Sequence, residues 1–193
     1  MRLFVASFFS ESMLDWLMKS GSVLSELFPA KTLRLTSPEN LHLTYVFLGE
    51  IPGSMLGQVT QAIGRSMDEA EAFVFGTGLV GIFPNRFRPR TMWIGLEPSP
   101  QFQVLATKIR KALDPLVSID TKHFLPHVTL ARFNDEHPAL SSVDPTKGML
   151  PPFQILEQNR TIDSVSLYKS ELTPKGPFYS ELAYFALNKY VKL

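Results

Sequence analysis

Apolar and polar residues follow two alternating patterns along the chain, one typical of strands and one of helices. Residues 2–9 are mostly apolar and predict a buried first strand. After Ser10, a residue type that often caps helices, apolar residues recur at three- and four-residue steps from Met13 to Phe28. The start of the chain therefore predicts a strand followed by a helix over residues 10–28.

The same order of elements recurs in the second half. Residues 91–96 predict a strand, and apolar residues from Phe102 to Leu116 predict an amphipathic helix that begins at Ser99-Pro100. In both halves the helix is followed by an apolar extended run, which contains His42 in the first half and His127 in the second. These two histidines are 85 residues apart, and the chain reads as two related halves.

Other segments complete the pattern. A helix is predicted after Ser54, and strands are predicted over residues 73–80, 163–169 and 179–187. Residues 134–152 are rich in Asp, Glu, Pro, Ser and Gly, and they predict a loop in place of the second helix of the first half. This arrangement favours one compact unit without a linker.

A His-x-Thr motif lies in each of the two equivalent runs. Because side chains alternate across a strand, His42 and Thr44 point to one face, and His127 and Thr129 do the same in their own strand. Taken singly, each motif is explained by a partly buried strand histidine. A twofold arrangement of the halves would place both motifs across one groove, and this symmetry favours a composite site.

Three arginines alternate with other residues between two prolines, over residues 84–90. On an extended edge Arg86, Arg88 and Arg90 would share one face, and guanidinium groups match phosphate oxygens. A solvated loop is the simpler interpretation for each arginine alone. The segment is nevertheless the best candidate in the sequence for a group of phosphate contacts.

Composition narrows the possible classes. The 193 residues are 45% hydrophobic and 19% charged, typical of a globular protein, and no apolar stretch reaches the roughly 18 residues that a membrane span needs. Absence of cysteine excludes disulfides and thiol nucleophiles and fits a cytoplasmic location. The net charge of +1 gives no global field for a long nucleic acid, so any such contact must be local.

Residues 39–50 and 126–133 resemble the paired motifs of the 2H phosphoesterases, specifically the RNA 2′,3′-cyclic phosphodiesterases formerly called 2′-5′ RNA ligases. The segment before Trp93 and the tail from Ser166 to Tyr179 are also similar, so the resemblance covers nearly the whole chain. It implies a bilobal α+β fold, a single domain over residues 1–193 in which two interleaved lobes, each an antiparallel sheet flanked by helices, enclose a central cleft. Tyr45 stands where the family more often has leucine.

The resemblance also implies the reaction, hydrolysis of a 2′,3′-cyclic phosphate at an RNA end to a 2′-phosphate without a metal or cofactor. It makes His42 the proton donor to the leaving 3′ oxygen and His127 the proton acceptor from water. Thr44 and Thr129 are predicted to bind the non-bridging oxygens. Arg132 is a further candidate for substrate binding, although strict alternation places it opposite Thr129 unless a bulge intervenes.

Several alternatives remain open from the residues alone. A metal hydrolase would use the two histidines as ligands, but no third ligand is grouped with either one. A non-catalytic module that binds RNA ends, 2′-5′ ligation by the reverse reaction, and a small cyclic phosphate as substrate are also compatible with the motifs. We expect a monomer that binds RNA ends and no membrane. His123 and His137 lack a following threonine and are predicted to be structural or exposed.

Overall fold

A computed structural model describes residues 1–85, 87–119, 123–134, 159–174 and 176–188. The helices in this part of the chain are α1 (Glu11–Ser25), α2 (Leu56–Met67) and α3 (Ser99–Leu113), with short 3₁₀ turns at Pro38–Asn40 and Gly53–Met55. The strands are β1 (Arg2–Ser7), β2 (Leu33–Leu35), β3 (Leu43–Glu50), β4 (Phe73–Val74), β5 (Gly76–Phe83), β6 (Thr91–Glu97), β7 (His127–Phe133), β8 (Thr161–Ile162), β9 (Ser164–Thr173) and β10 (Gly176–Ala186). No helix among the described residues has the length and apolar character to span a membrane.

One large antiparallel sheet organises the molecule. Its strands lie in the order β10-β9-β1-β3-β7-β6-β5, and β2 pairs with the C-terminal residues of β7. The halves exchange strands, because β9 and β10 complete the sheet beside β1, whereas β5 from the first half lies beside β6. This topology confirms the predicted α+β class with antiparallel pairing. The division into two lobes stays a prediction.

The helices pack on one side of the sheet, and none of the helices in the described part of the chain covers the other side, which is called the open face below. Each helix has its apolar residues on one face, as the spacing predicts, and the core combines these with alternate residues of the central strands. Fully buried examples from the strands and helices are Leu3, Leu43, Val128, Leu17 and Ile109. The neighbours of Leu43 and Val128 along their strands must therefore face away from this core.

The helix boundaries differ slightly from the predictions. The Ser10 hydroxyl accepts a hydrogen bond from the Met13 amide at 3.4 Å and caps α1 as expected. The helix ends at Ser25 and not at Phe28, because the Glu26 amide bonds back to the Val23 and Leu24 carbonyls and tightens the last turn. Helix α3 starts after Pro98 rather than at a Ser99 cap. The predicted helix after Ser54 begins at Leu56, preceded by a 3₁₀ turn.

The predicted strand over residues 73–80 is two strands in different sheets. Phe73 and Val74 pair with β8, and the residues from Gly76 onward pair with β6. Phe75 lies between them, and its amide and carbonyl groups bond to Arg160 instead of to a neighbouring strand. In the apolar extended run of the second half, strand β7 begins at His127 itself. The loop predicted over residues 134–152 lies, apart from Asn134, outside the described residues.

Candidate active site

The two His-x-Thr motifs meet at the centre of the sheet. Leu43 of β3 pairs with Val128 of β7, the middle residues of the two motifs, and both side chains are fully buried. Residues directly opposite each other in an antiparallel pair share a face, and their sequence neighbours share the other. This single pairing therefore places the four polar side chains of the motifs together on the open face: His42, Thr44, His127 and Thr129.

Both imidazoles are oriented in the same way. His42 Nδ1 lies 2.8 Å from the Asn40 carbonyl oxygen, and His127 Nδ1 lies 2.7 Å from the Leu125 carbonyl oxygen. Since a carbonyl accepts only, each Nδ1 must carry the proton and donate it. The remaining nitrogen, Nε2, is then an acceptor in the neutral ring and a donor in the protonated ring. Either histidine can thus act as acid or base through Nε2.

Three aromatic rings surround the His42 imidazole. Phe8 stacks on it at 5.3 Å between ring centroids, Phe4 lies at 5.2 Å, and the Tyr179 ring is edge-on at 5.2 Å. Burial among these rings lowers the pKa of His42 to about 4, because an apolar environment disfavours the imidazolium. The Asn40 carbonyl opposes this shift, and the positive charges of His127 and Arg132 reinforce it.

The His127 imidazole has a smaller aromatic wall. Phe83 and Trp93 stack on each other at 4.8 Å, and both are edge-on to His127, at 5.1 and 5.9 Å. Burial lowers the pKa of His127, and the Leu125 carbonyl opposes that shift. The Trp93 indole occupies the space above Gly81, where a side-chain carbon would overlap it. A glycine is therefore required at position 81 for this wall to form.

A β-bulge in β7 changes which residues face the site after Thr129. Met92 pairs with Ala131, whereas Trp93 pairs with Thr129, so Leu130 is the extra residue. Leu130 and Ala131 are consequently both buried, and the alternation of faces resumes one residue later. The sequence signal was the apolar pair Leu130-Ala131 in an otherwise alternating strand.

The bulge turns Arg132 to the open face. Arg132 is exposed, and its charge is close enough to lower the pKa of His42. The same charge, with that of Arg2, acts against the burial that raises the pKa of Tyr179. Arg34 of β2 lies directly opposite Arg132 in the sheet and is also exposed. Two arginines in this position repel each other and create an attractive site for an anion. Sequence reasoning did not identify Arg34.

The arginines of residues 84–90 are arranged differently from the prediction. The Asn85 side-chain oxygen accepts hydrogen bonds from the Phe87 and Arg88 amides, at 3.0 and 3.1 Å, so the segment turns instead of running extended. The segment as a whole is therefore not one extended edge, whereas Arg88 and Arg90 are both exposed on either side of the buried Pro89, and their contact with phosphate stays a prediction. Arg86 lies outside the described residues.

Asn40 links the His42 side of the site to the β9–β10 hairpin. Its side-chain nitrogen donates to Ser37 Oγ at 3.0 Å and to the Pro177 carbonyl oxygen at 3.3 Å, while its own carbonyl accepts from His42. Tyr179 follows Pro177 by two residues and reaches His42 from the same hairpin. The sequence did not predict these contacts, which join residues far apart in the chain.

Within the residues that the structure describes, no group of three or more His, Cys, Asp or Glu side chains is arranged to hold a metal ion. His123 is exposed, and His137 lies outside the described residues. The site therefore offers two imidazoles, two hydroxyls and nearby guanidinium groups, a set suited to binding an anion and moving protons at it.

The chain is similar to one family of known proteins. Residues 27–173 match the family described as the 2′-5′ RNA ligase superfamily. An RNA 2′,3′-cyclic phosphodiesterase of Archaeoglobus fulgidus is 31% identical, with 96% of this chain and 99% of the relative covered. A protein of the same name from Thermus thermophilus is 31% identical, with 97% of this chain and 90% of the relative covered. A crystal structure of a Thermus thermophilus protein superposes with a TM-score of 0.79 at 30% identity, covering 98% of this chain and 99% of its own.

Proposed function

The chain belongs to the 2′-5′ RNA ligase superfamily, and on this premise we propose that it hydrolyses 2′,3′-cyclic phosphates at RNA ends to 2′-phosphates by metal-independent catalysis with two histidines. The names of its relatives support the cyclic phosphodiesterase activity. The observation that carries the mechanism is the pairing of Leu43 with Val128, which gathers two histidines and two threonines on one open face.

The proposed reaction uses each group once. His127 Nε2 accepts a proton from water as the water oxygen bonds to phosphorus, and His42 Nε2 donates a proton as the bond between phosphorus and the 3′ oxygen breaks. The products are a 3′-hydroxyl and a 2′-phosphate. Thr44 and Thr129 donate hydrogen bonds to the non-bridging oxygens, where negative charge increases in the transition state. Arg132 adds a positive charge at the same phosphate.

In this proposal, His42 becomes protonated only when the substrate is bound. In the free protein His42 has a pKa of about 4 and is neutral at pH 7. A bound phosphodiester brings a negative charge next to the imidazole and offsets both the burial and the charge of Arg132. Protonation of His42 is in this way coupled to substrate binding.

The test is a short RNA that ends in a 2′,3′-cyclic phosphate, incubated with the protein in a chelator such as EDTA. We expect conversion to the 2′-phosphate, identified by chromatography against synthetic 2′- and 3′-phosphate standards. A 3′-phosphate product would contradict the assignment of the leaving oxygen. Activity that disappears with chelator and returns with zinc would contradict the metal-independent mechanism, and tight binding without any product would favour a non-catalytic module.

A further inference from the structure

A cavity of about 310 Å³ lies beside the His42 end of the candidate site. It is bounded by the residues after β1, by Phe75 ahead of β5, and by β8, β9 and β10. Its lining includes the aromatic rings of Phe8 and Tyr168 and the carboxylates of Asp163 and Glu181. Apart from Phe8, which packs on His42, none of these groups has a part in the mechanism proposed above.

Phe8 belongs both to this cavity and to the surroundings of His42. One face of its ring stacks on His42, with an interplanar angle of 20°, and the same ring lines the cavity. Tyr168 lies 4.7 Å from Phe8 between ring centroids and lines the cavity as well. A ligand in the cavity consequently lies against the same aromatic residue that packs on the His42 imidazole.

The charged groups that line the cavity disfavour binding of an anionic ligand. Of the lining residues found in the described part of the chain, none is Lys, Arg or His, and two are carboxylates. The Tyr168 hydroxyl donates to Glu181 Oε2 at 2.9 Å and fixes that carboxylate. Burial and the Glu181 charge raise the pKa of Tyr168, so its hydroxyl remains a donor. The carboxylate keeps further lone pairs for a ligand. The cavity therefore suits a flat, neutral ring that presents N–H donors.

We propose that this cavity binds the base of the terminal nucleotide and that Glu181 makes it prefer guanine. This preference for guanine specifies the substrate of the proposed function, and it rests on that function. Guanine carries two adjacent donors on its Watson–Crick edge, N1–H and the exocyclic amine, which match the two oxygens of one carboxylate. Adenine and cytosine place an acceptor beside their amine, and uracil has a single N–H between two carbonyls, so each of them puts an acceptor against the carboxylate.

The test compares four dinucleotides of the form ApN with a terminal 2′,3′-cyclic phosphate, where N is G, A, C or U. We expect kcat/KM to be about tenfold higher for G than for U, the size of one bidentate contact to a base. Glu181→Gln replaces one acceptor oxygen with a donor and is expected to bring the G to U ratio below about threefold. Tyr168→Phe, which releases the carboxylate, is expected to lower the ratio less.

The matched control is Glu171→Gln, since Glu171 pairs with Lys169 at 2.9 Å and does not line the cavity. It should leave the G to U ratio unchanged. A second measurement, binding of guanosine and uridine 2′-monophosphates to the wild type and to Glu181→Gln, is independent of turnover.

The outcomes separate the two proposals. Hydrolysis of all four dinucleotides at equal rates, or a ratio that Glu181→Gln does not change, would overturn the base preference and leave the reaction intact. Absence of hydrolysis with every dinucleotide would overturn the proposed function, and the binding measurement would then decide the preference. Equal affinity for the two monophosphates would overturn it in that case, and tighter binding of the guanosine compound that Glu181→Gln removes would support it.

Discussion

Tyr45 in the first half and Leu130 in the second occupy equivalent positions, 85 residues apart, and each is the extra residue of a β-bulge. In β3 the pairing partners shift between Val5 and Ala6, which leaves Tyr45 unpaired, just as Leu130 is unpaired in β7. Each bulge follows the motif threonine directly. The two halves thus repeat the irregularity that shapes the site as well as their order of elements.

The residues that the two bulges present to the open face are different. The second half presents Arg132, and the equivalent residue of the first half is Phe47, which is 64% exposed. Among the described residues, His42 has three aromatic neighbours, while His127 has two. The two histidines therefore have different environments, because the Arg132 charge acts on the pKa of His42, which also has the larger set of aromatic neighbours. Such a difference allows two identical side chains to differ in pKa and so in role.

The largest effects are expected from the histidines themselves. His42→Ala and His127→Ala should each lower kcat by at least about a hundredfold, because each removes one proton-transfer group. His123→Ala, at an exposed histidine outside the motifs, is the control and should retain wild-type activity. Initial rates on a cyclic-phosphate RNA measure all three variants. Full activity in either motif variant would contradict the composite site.

Arg132→Gln tests the contribution of the Arg132 charge to the candidate site. We expect kcat/KM to fall by about a hundredfold, the low end of the range for loss of a preorganised donor to a developing charge. Because the Arg132 charge lowers the pKa of His42, the variant should also raise that pKa, which NMR titration of the imidazole can measure. Arg65→Gln on α2 is the control. A pKa of His42 that does not move would show that Arg132 acts elsewhere.

The pH dependence tests both environments at once. Burial lowers the pKa of His42 to about 4 and also lowers that of His127 below its usual 6.5. The base must be neutral and the acid protonated, so kcat/KM, which reports the free protein, should be bell-shaped with its maximum below pH 6.5. Values at pH 7.5 should be about tenfold below the maximum. The maximum of kcat should lie at higher pH, since bound phosphate favours the imidazolium.

An optimum of kcat/KM above pH 7 would contradict this account of the two histidines. Circular dichroism at each pH is the control for loss of fold at the acid end.

The smallest effect is expected from Gly81→Ala, which tests the packing behind His127. The added methyl group overlaps the Trp93 indole and should displace it, lowering kcat/KM about fivefold through the position of His127. The pKa of His42 should not change. Gly57→Ala on α2, where nothing lies within 4 Å of the new carbon, is the matched control. Unchanged kinetics in Gly81→Ala would show that the indole does not position His127.

The sequence predicts the features that depend on local periodicity. It predicts the three helices, the strands with the two motifs and the recurrence of their order, because burial on one side imposes a period of two or 3.6 residues. The same rule predicts that the side chains of His42 and Thr44 point to one face of their strand. The bulge at Leu130 shifts the alternation of side chains by one residue. The sequence alone therefore does not determine which face of the sheet Arg132 occupies.

The features that the sequence does not predict depend on contacts between distant segments. Phe8 and Tyr179 reach His42 from opposite parts of the chain, and Arg34 meets Arg132 through the pairing of β2 with β7. Phe8 and Arg34 belong to none of the motifs. The break at Phe75 also depends on a distant partner, Arg160, since the local apolar pattern continues through it.

The exchange of strands between the halves has a consequence for synthesis of the protein on the ribosome. Strand β1 lies between β3 and β9, so the nascent first half has an unpaired strand edge until β9 and β10 have been made. Tyr179, on β10, is then the last neighbour of His42 to arrive. The first histidine of the chain therefore acquires its environment last, and the candidate site is complete only after β10 has been made.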